Sequence, residues 1–581
     1  MPDSVYDPAV NQLLASAQKY TPSPSDWRDQ WIYFLLVDRF NNTVSPPPFP
    51  EPCGVYQGGT FAGIKAKLKY LKDLGAGAIW LSPVQINPQW FKDYWGGYGA
   101  FDLLRIEPRF CSNPLAAMAD PTIAEAEFRD LIDAIHDEQM YVVLDIVLNH
   151  AGDLFNYEGM RDSAPWNPSG EYNVFWRKDG VPQGAWTDIG AIPALPPDSG
   201  VWPKELQRND YWRRRGSFDP NGDATKGDFD RLKEIVTEYL VPGTNLYPVR
   251  NYLIRAYQYL VARFDLDGFR IDTLQYVERD FARVFGNSMR EFALSIGKKN
   301  FLTFGEVWQD DDESKIADFI GTDTKTGDGI IGVDAALDFP MRKRVVGACK
   351  ASDPPSMLAE QADKRREALK AVISSHGDAS RFYVTFLDNH DLNERITFPG
   401  WPKQTRIALT CLMTMQGIPC VYYGTEQGLD GHGDRREYVR EALWRGQDAF
   451  STDHEFYRLI KVLTDLRNNQ PCLRYGRQYF RPCSGNGIDY GYSLNPGGVI
   501  AFSRILNDRE VLIVVNTRTT TTDPPTTVHV VVDWNLNPEG KTWNVLFSSE
   551  PNRSALSATM THGVNRTVQV ELQPMEAQVL G

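Results

Sequence analysis

Apolar and polar positions alternate in two distinct periods along most of the chain. From about residue 30 to residue 470, short β-rich apolar runs recur at 32–38, 78–82, 141–148, 268–272, 301–306, 382–388 and 418–423, with a weaker one at 331–335. Between them, apolar residues return every three or four positions over 61–74, 123–138, 252–264, 277–296, 357–374, 404–415 and 456–466, the period of an amphipathic helix. Strands alternating with helices predict a parallel sheet with crossover helices. Eight such strands suit a closed (β/α)8 TIM barrel better than an open sheet.

Two stretches break this rhythm. About eighty residues rich in Trp, Pro, Gly and Asp, from His150 to about Asp228, separate the third strand from the next clear helix. A structureless loop of that length is implausible in a compact protein, so the stretch reads as an inserted domain. After about residue 470 the helical period ends, and runs at 499–502, 510–515, 528–532, 543–547 and 568–572 read as short strands broken by turns. The expected organisation is a barrel whose first part is 1–149, an insert at 150–227, the rest of the barrel at 228–470, and a C-terminal antiparallel β-sandwich at 471–581.

Charge and composition narrow the classes of function. The 581 residues hold 61 Lys and Arg against 75 Asp and Glu, a net charge of −14. No basic footprint for a nucleic acid is present. The longest apolar runs are about strand length, short of the ~20 residues of a spanning helix, so no membrane partner is expected. The first residues show no basic segment followed by an apolar core, which fits a cytoplasmic protein or a secreted one with its signal removed. Seven cysteines without a CxxC spacing argue against a thiolate zinc site. Cys411 and Cys420 lie in apolar runs and read as core residues, whereas Cys472 and Cys483 either bridge a hairpin-like segment or stay as thiols.

In a parallel α/β barrel, chemistry gathers at the carboxyl ends of the strands. The third strand ends Asp145-Ile146-Val147-Leu148-Asn149-His150, and the fourth reads Gly268-Phe269-Arg270-Ile271-Asp272. The fifth reads Phe304-Gly305-Glu306-Val307-Trp308, and the seventh ends Asp388-Asn389-His390-Asp391. Arg270 and Asp272 stand two apart on one strand, so both leave the same face. A fixed cation beside Asp272 is expected to lower its pKa and keep it a carboxylate nucleophile. Glu306 would feel the negative charges of Asp272 and Asp391, and like charge with burial would raise its pKa, as a general acid requires. One ionised and one protonated carboxyl, about 5–5.5 Å apart, form the equipment of a retaining glycosidase.

These four segments resemble the four signature regions of the α-amylase family of glycoside hydrolases, glycoside hydrolase family 13. Further matches are Val37-Asp38-Arg39-Phe40, Gly97-Tyr98, Gly424-Thr425-Glu426-Gln427-Gly428 and Arg440-Glu441-Ala442; the resemblance spans about Trp31 to Trp444. It implies the (β/α)8 barrel, a domain inserted after the third strand, and an α-retaining double displacement. By the same resemblance, Asp272 is the nucleophile, Glu306 the acid and then the base, and Asp391 the stabiliser of the transition state. Tyr98, His150, Arg270 and His390 match residues that hold the sugar before the scissile bond.

The departures from the family pattern bear on specificity. Many members place an Asp four residues before the equivalent of Arg440, where this chain has Arg436; Asp434, six residues before, is the substitute candidate for gripping the terminal sugar. After Asp272 stand Thr273-Leu274-Gln275-Tyr276, where typical α-amylases carry Lys-His at the last two positions and use them on the acceptor side. No cofactor is required for the chemistry, but Asn149 and Asp228 match positions that bind a structural calcium in many relatives. The His that usually lends its carbonyl to that ion is replaced by Tyr276. Trp166, Trp176, Trp186, Trp202 and Trp212 of the insert either fill its core or stack on sugars in outer subsites. Arg213-Arg214-Arg215 reads as a solvated or ion-paired surface.

The expected partner is therefore an oligosaccharide or polysaccharide, bound by a monomer or small homo-oligomer. The leading expectation is cleavage of α-glucosidic bonds in maltooligosaccharides or related α-glucans, by hydrolysis or transfer. A disaccharide-active α-glucosidase, isomerase or transglucosidase is the alternative within the family. A non-catalytic glucan-binding relative is the alternative outside it, although such proteins typically lack one of the three carboxylates present here.

Overall fold

The computed structural model describes residues 2–16, 18–48, 54–90, 96–192, 194–218, 223, 225–323, 329–375, 377–398, 400–446, 448–550, 557–561 and 566–581. Eight parallel strands form one sheet: β1 (Ile32–Leu35), β2 (Ala78–Leu81), β3 (Tyr141–Val147), β4 (Gly268–Asp272), β5 (Leu302–Gly305), β6 (Ala335–Ala336), β7 (Val384–Thr385) and β8 (Ile418–Tyr422). Their order is β6-β5-β4-β3-β2-β1-β8-β7. A parallel bridge between Leu337 and Val384 joins the two ends and closes the barrel. Every residue of β1, β2, β4 and β8 is buried because both faces of the sheet are covered. Apolar side chains fill most strand positions, and the charged exceptions, Asp145, Arg270 and Asp272, lie on β3 and β4. Inside, Phe34 stacks on Trp80 at 3.8 Å, and the edge of Phe304 meets Trp80 at 5.5 Å.

Helices cover the outside: α1 (Leu68–Leu74), α2 (Pro121–Asp137), α3 (Pro248–Phe264), α4 (Arg279–Ser295), α5 (Phe339–Cys349), α6 (Ser356–Ala368), α7 (Pro402–Thr414) and α8 (Glu455–Asn469). Asp120 caps α2 by accepting from the Thr122 amide at 3.0 Å, with Pro121 at the first helical position. Helix α5 was not expected from the pattern, because Pro340 and the run Arg342-Lys343-Arg344 hide its apolar period. Its start is nevertheless encoded: Asp338 accepts from the Met341 amide at 3.1 Å, and a proline is tolerated in the first turn.

The weaker strands also differ from their expected extents. The 331–335 run contributes only Ala335–Ala336, and the 382–388 run only Val384–Thr385. Past Thr385 the chain leaves the ladder, and Asp388 instead accepts from the Ile396 amide at 2.9 Å. The 357–374 helix stops at Ala368, after which Val372–Ile373 pairs antiparallel with Thr322–Asp323.

Between β3 and α3 the chain forms short antiparallel strands, Phe155–Tyr157, Val174–Lys178 and Val181–Pro182. This insert is tied back to the barrel where Lys233–Glu234 pairs with His150–Ala151. Trp176, Trp202 and Trp212 are buried there and Trp166 and Trp186 are half-buried. The arginine run is ion-paired at Arg213, to Glu234 and Glu238, and at Arg214, to Glu171.

Beyond residue 475, nine described strands from Arg477–Phe480 to Ala577–Leu580 pair antiparallel around Leu512, Val514, Val530, Trp543 and Leu580. Cys472 and Cys483 are free thiols, Cys411 and Cys420 are buried in the core, and Cys53 lies outside the described residues. No helix among the described residues is long and apolar enough to cross a membrane.

One buried glycine tests the packing of helix on barrel. A Cβ at Gly286 of α4 would come within 2.6 Å of the Gly332 carbonyl carbon and 2.7 Å of the Val333 amide. Gly286→Ala should gain up to about 1 kcal/mol of helix propensity yet lose more to overpacking, typically about 1–3 kcal/mol. Urea unfolding is expected to show a net loss, and a gain in stability would contradict the packing described.

Candidate active site

Register brings the strand-end residues together. Arg270 on β4 lies opposite Asp145 on β3 and Phe304 on β5, and Ile271 lies opposite Gly305. Glu306 therefore leaves the end of β5 beside Asp272. A Cβ on Gly305 would sit 2.1 Å from Leu274 Cδ2, so glycine there lets the turn after Asp272 pack closely against β5.

The Arg270 guanidinium is fully buried and touches three carboxyl groups. Its Nη1 donates to Asp145 Oδ1 at 2.9 Å and to Asp272 Oδ1 at 2.8 Å, and its Nη2 stands 3.0 Å from Glu306 Oε1. The other Glu306 oxygen accepts from the Thr273 amide at 3.0 Å. Thr273 holds φ at 46°, a left-handed conformation that a β-branched residue rarely adopts.

Burial, with Asp272 and Asp391 nearby, outweighs Arg270 and raises the Glu306 pKa to about 8. Burial likewise lifts Asp145 to about 7, against the pull of Arg270. Asp145 also accepts from Trp80 Nε1 at 3.0 Å and Tyr98 Oη at 2.8 Å, so it braces the site from behind.

Asp391 is treated differently. Burial works against its ionisation, but His390, Arg440, Arg436 and Arg270 overcome it and lower its pKa to about 2. Its Oδ1 meets Arg440 Nη2 at 3.1 Å and Arg436 Nη1 at 3.4 Å, and its Oδ2 lies 3.2 Å from His390 Nε2. Arg440 is itself fixed, donating from Nε to the His390 carbonyl at 2.9 Å, while the buried Arg39 donates to the Arg440 carbonyl at 2.8 Å. Burial lowers His390 to about 3, which leaves its imidazole neutral. Tyr98 stacks on that ring at 5.3 Å with 9° between planes. His150 is buried, lowered by that burial, with Nε2 4.0 Å from Asp272 Oδ2.

A cleft of about 530 Å³ opens over these groups. Asp272, Glu306, Asp391, Tyr98, His150, His390 and Arg440 line it, and Arg270 lies directly beneath. Asp434 does not line it; that residue is exposed, and Arg436 and Glu437 of the following turn face the cleft instead. The insert tryptophans do not line it either. Phe229, Leu232, Tyr276 and Trp308 supply its apolar walls. Trp308 was legible as the second residue past Glu306, whereas Phe229 and Leu232 carried no signal because they come from a turn distant in sequence.

Asn149 and Asp228 both already have partners within the chain. Among the described residues no group of three or more His, Cys, Asp or Glu is placed to hold a metal. Asp228 Oδ2 is already occupied by Tyr157 Oη at 2.5 Å and Lys233 Nζ at 3.2 Å, and its Oδ1 by the Glu234 amide at 3.1 Å. The Asn149 amide lies 3.3 Å from His150 Nδ1. A cation binding Asp228 Oδ2 would have to displace the Lys233 ammonium from it.

A (β/α)8 barrel carrying three acids around one cleft at its carboxyl end defines a class of carbohydrate-active proteins. The model of the alpha-amylase catalytic domain matches residues 31–217 and 243–458, so the chain belongs to the alpha-amylase family. It is 28% identical over 511 residues to an alpha-amylase of Streptomyces lividans, covering 78% of this chain and 50% of that protein. It is 25% identical over 534 residues to a cyclomaltodextrin glucanotransferase of Klebsiella oxytoca, covering 81% and 70%. The chain thus spans only half the length of the Streptomyces relative. The crystal structure of an alpha-amylase from Geobacillus thermoleovorans, complexed with acarbose, shares the fold with a TM-score of 0.65 at 23% identity, covering 96% of this chain and 99% of that one.

Replacing Arg270 with Met would leave Asp145, Asp272 and Glu306 buried without their cation. The expected loss is about 3–5 kcal/mol at neutral pH. It should grow as pH rises through about 7 to 8, where Asp145 and Glu306 give up their protons and need the counter-charge, and shrink below that window. Urea unfolding at several pH values measures this, and a loss independent of pH would contradict the electrostatic role.

Proposed function

We propose that the chain is an α-retaining glycoside hydrolase or transglycosylase acting on α-glucosidic bonds of maltooligosaccharides or related α-glucans. The observation that carries this reading is the single guanidinium shared by Asp272 and Glu306, with the Glu306 pKa lifted to about 8. Asp272 attacks the anomeric carbon through Oδ2, the oxygen on the His150 side, while Arg270 steadies Oδ1. Glu306 gives its proton to the glycosidic oxygen as the bond to the leaving sugar breaks. The product is a glycosyl ester on Asp272. Glu306, now a carboxylate, takes a proton from water or an acceptor hydroxyl, whose oxygen displaces Asp272 from the anomeric carbon. Asp391, ionised and fixed by two arginines, faces the positive charge that develops on the ring.

The donor sugar lies over Tyr98 and His390, and the acceptor side is walled by Phe229, Leu232, Tyr276 and Trp308. An apolar acceptor side favours a sugar face over bulk water, which supports glucosyl transfer alongside hydrolysis. Products from maltose, maltopentaose and starch, resolved by thin-layer chromatography, test the substrate class. Shortened products are expected from at least one, together with longer ones where transfer competes; inactivity on all three would overturn the reading.

Asp272→Asn should lower kcat/KM on the order of 10⁴-fold while leaving the protein folded. Glu306→Gln should abolish turnover of natural glycosides yet still permit glycosylation by substrates with good leaving groups. Equal losses on both substrate types would exclude an acid role. Because the protonated form of Glu306 is the working one, kcat/KM should fall as pH rises through about 8. The decline is roughly tenfold per pH unit, and an alkaline limb near pH 5 would contradict the assignment.

A further inference from the structure

Lys233 is fully buried where the insert meets the barrel. Its Nζ lies 3.2 Å from Asp228 Oδ2 and donates to the Asp162 carbonyl. It also sits 4.7 Å from the centre of the Tyr157 ring and 5.1 Å from that of Phe155. A carboxylate, a carbonyl and two aromatic faces around one ammonium form a cation site that the chain fills itself. The surroundings repeat the arrangement: Arg177 and Arg231 both bridge Asp153 and Asp162 at 2.7–3.2 Å.

We propose that the Lys233 ammonium is the structural cation of this joint, taking the part a divalent ion would play there and positioning the turn that walls the cleft. Lys233 and Glu234 pair with Ala151 and His150, the latter a cleft residue. Between Asp228 and Lys233 the chain makes a tight turn, with the Phe229 amide donating to the Leu232 carbonyl at 3.1 Å and Asp230 at φ 59°. The Asp228–Lys233 pair thus closes the base of that turn. Its tip presents Phe229, Asp230 and Leu232 to the cleft. Phe229 lies parallel to His150 at 6.5 Å and against Tyr276 at 5.8 Å, so a shift of this turn moves the acceptor wall. Lys233 touches no reacting atom; it is a positioning residue.

Two arms test this on the full chain. Calorimetric unfolding of the wild type in EDTA and in millimolar calcium chloride should give coincident midpoints. A fall in EDTA that calcium restores would overturn the proposal. This arm reads unfolding alone, so its failure is separable from failure of the proposed reaction. In the second arm, Lys233→Met should lower the midpoint by roughly 2–4 °C, through the unpaired buried carboxylate it leaves. Asp228→Asn, which keeps the shape of the side chain but removes its charge, should be folded and should raise KM for maltopentaose at least about 3-fold with a smaller change in kcat. That arm rests on the proposed activity. A wild-type midpoint in Lys233→Met, or an unchanged KM in Asp228→Asn, would overturn the positioning role.

Discussion

A single buried cation among three carboxyl groups governs this site. Arg270 has one positive charge to offer, and Asp145, Asp272 and Glu306 all reach it. Were all three ionised, the cluster would carry two uncompensated negative charges away from water, which is costly. The protein avoids this state by keeping protons in the cluster: burial lifts Asp145 to about 7 and Glu306 to about 8. The burial of these groups at the end of the barrel thus leaves an acid proton poised at the floor of the cleft.

The same cleft enforces the opposite state on Asp391. Two arginines and a neighbouring imidazole hold that carboxylate ionised, and Arg440 is in turn anchored to backbone carbonyl groups through its own contacts and those of Arg39. Acids of similar intrinsic strength are separated by their surroundings alone. Donors and charges fixed before substrate arrives cost little reorganisation during reaction. The Lys233 joint extends this logic from the floor of the cleft to its wall, with a charge supplied by the chain fixing a turn that bears cleft residues.

Much of this was readable from the residues because the barrel is a register device. Arg270 and Asp272 sit two apart on a strand, so their shared face followed from the period, and Glu306 followed from its place at the end of the next strand. The grouping around Asp391 was less legible. Asp434 and Arg436 lie in a loop whose path no period encodes, and there Arg436, not Asp434, faces the cleft. Phe229, Leu232 and Lys233 belong to a polar, turn-rich stretch in which nothing marks one lysine as buried. Its burial depends on Asp162 and Asp228, 71 and 5 residues away. Helix α5 was hidden for a different reason: its start is signalled by Asp338 and Pro340, while the charged run that follows conceals the apolar face.

The most direct test is the protonation state of Glu306 in the resting protein. Infrared difference spectra between wild type and Glu306→Gln, recorded across pH, isolate the carboxyl stretch of this one side chain. The account predicts a protonated carboxyl at neutral pH that titrates near pH 8. A carboxylate signature already complete at pH 6, with its transition in the ordinary range of about 4–5 for a glutamate, would contradict it.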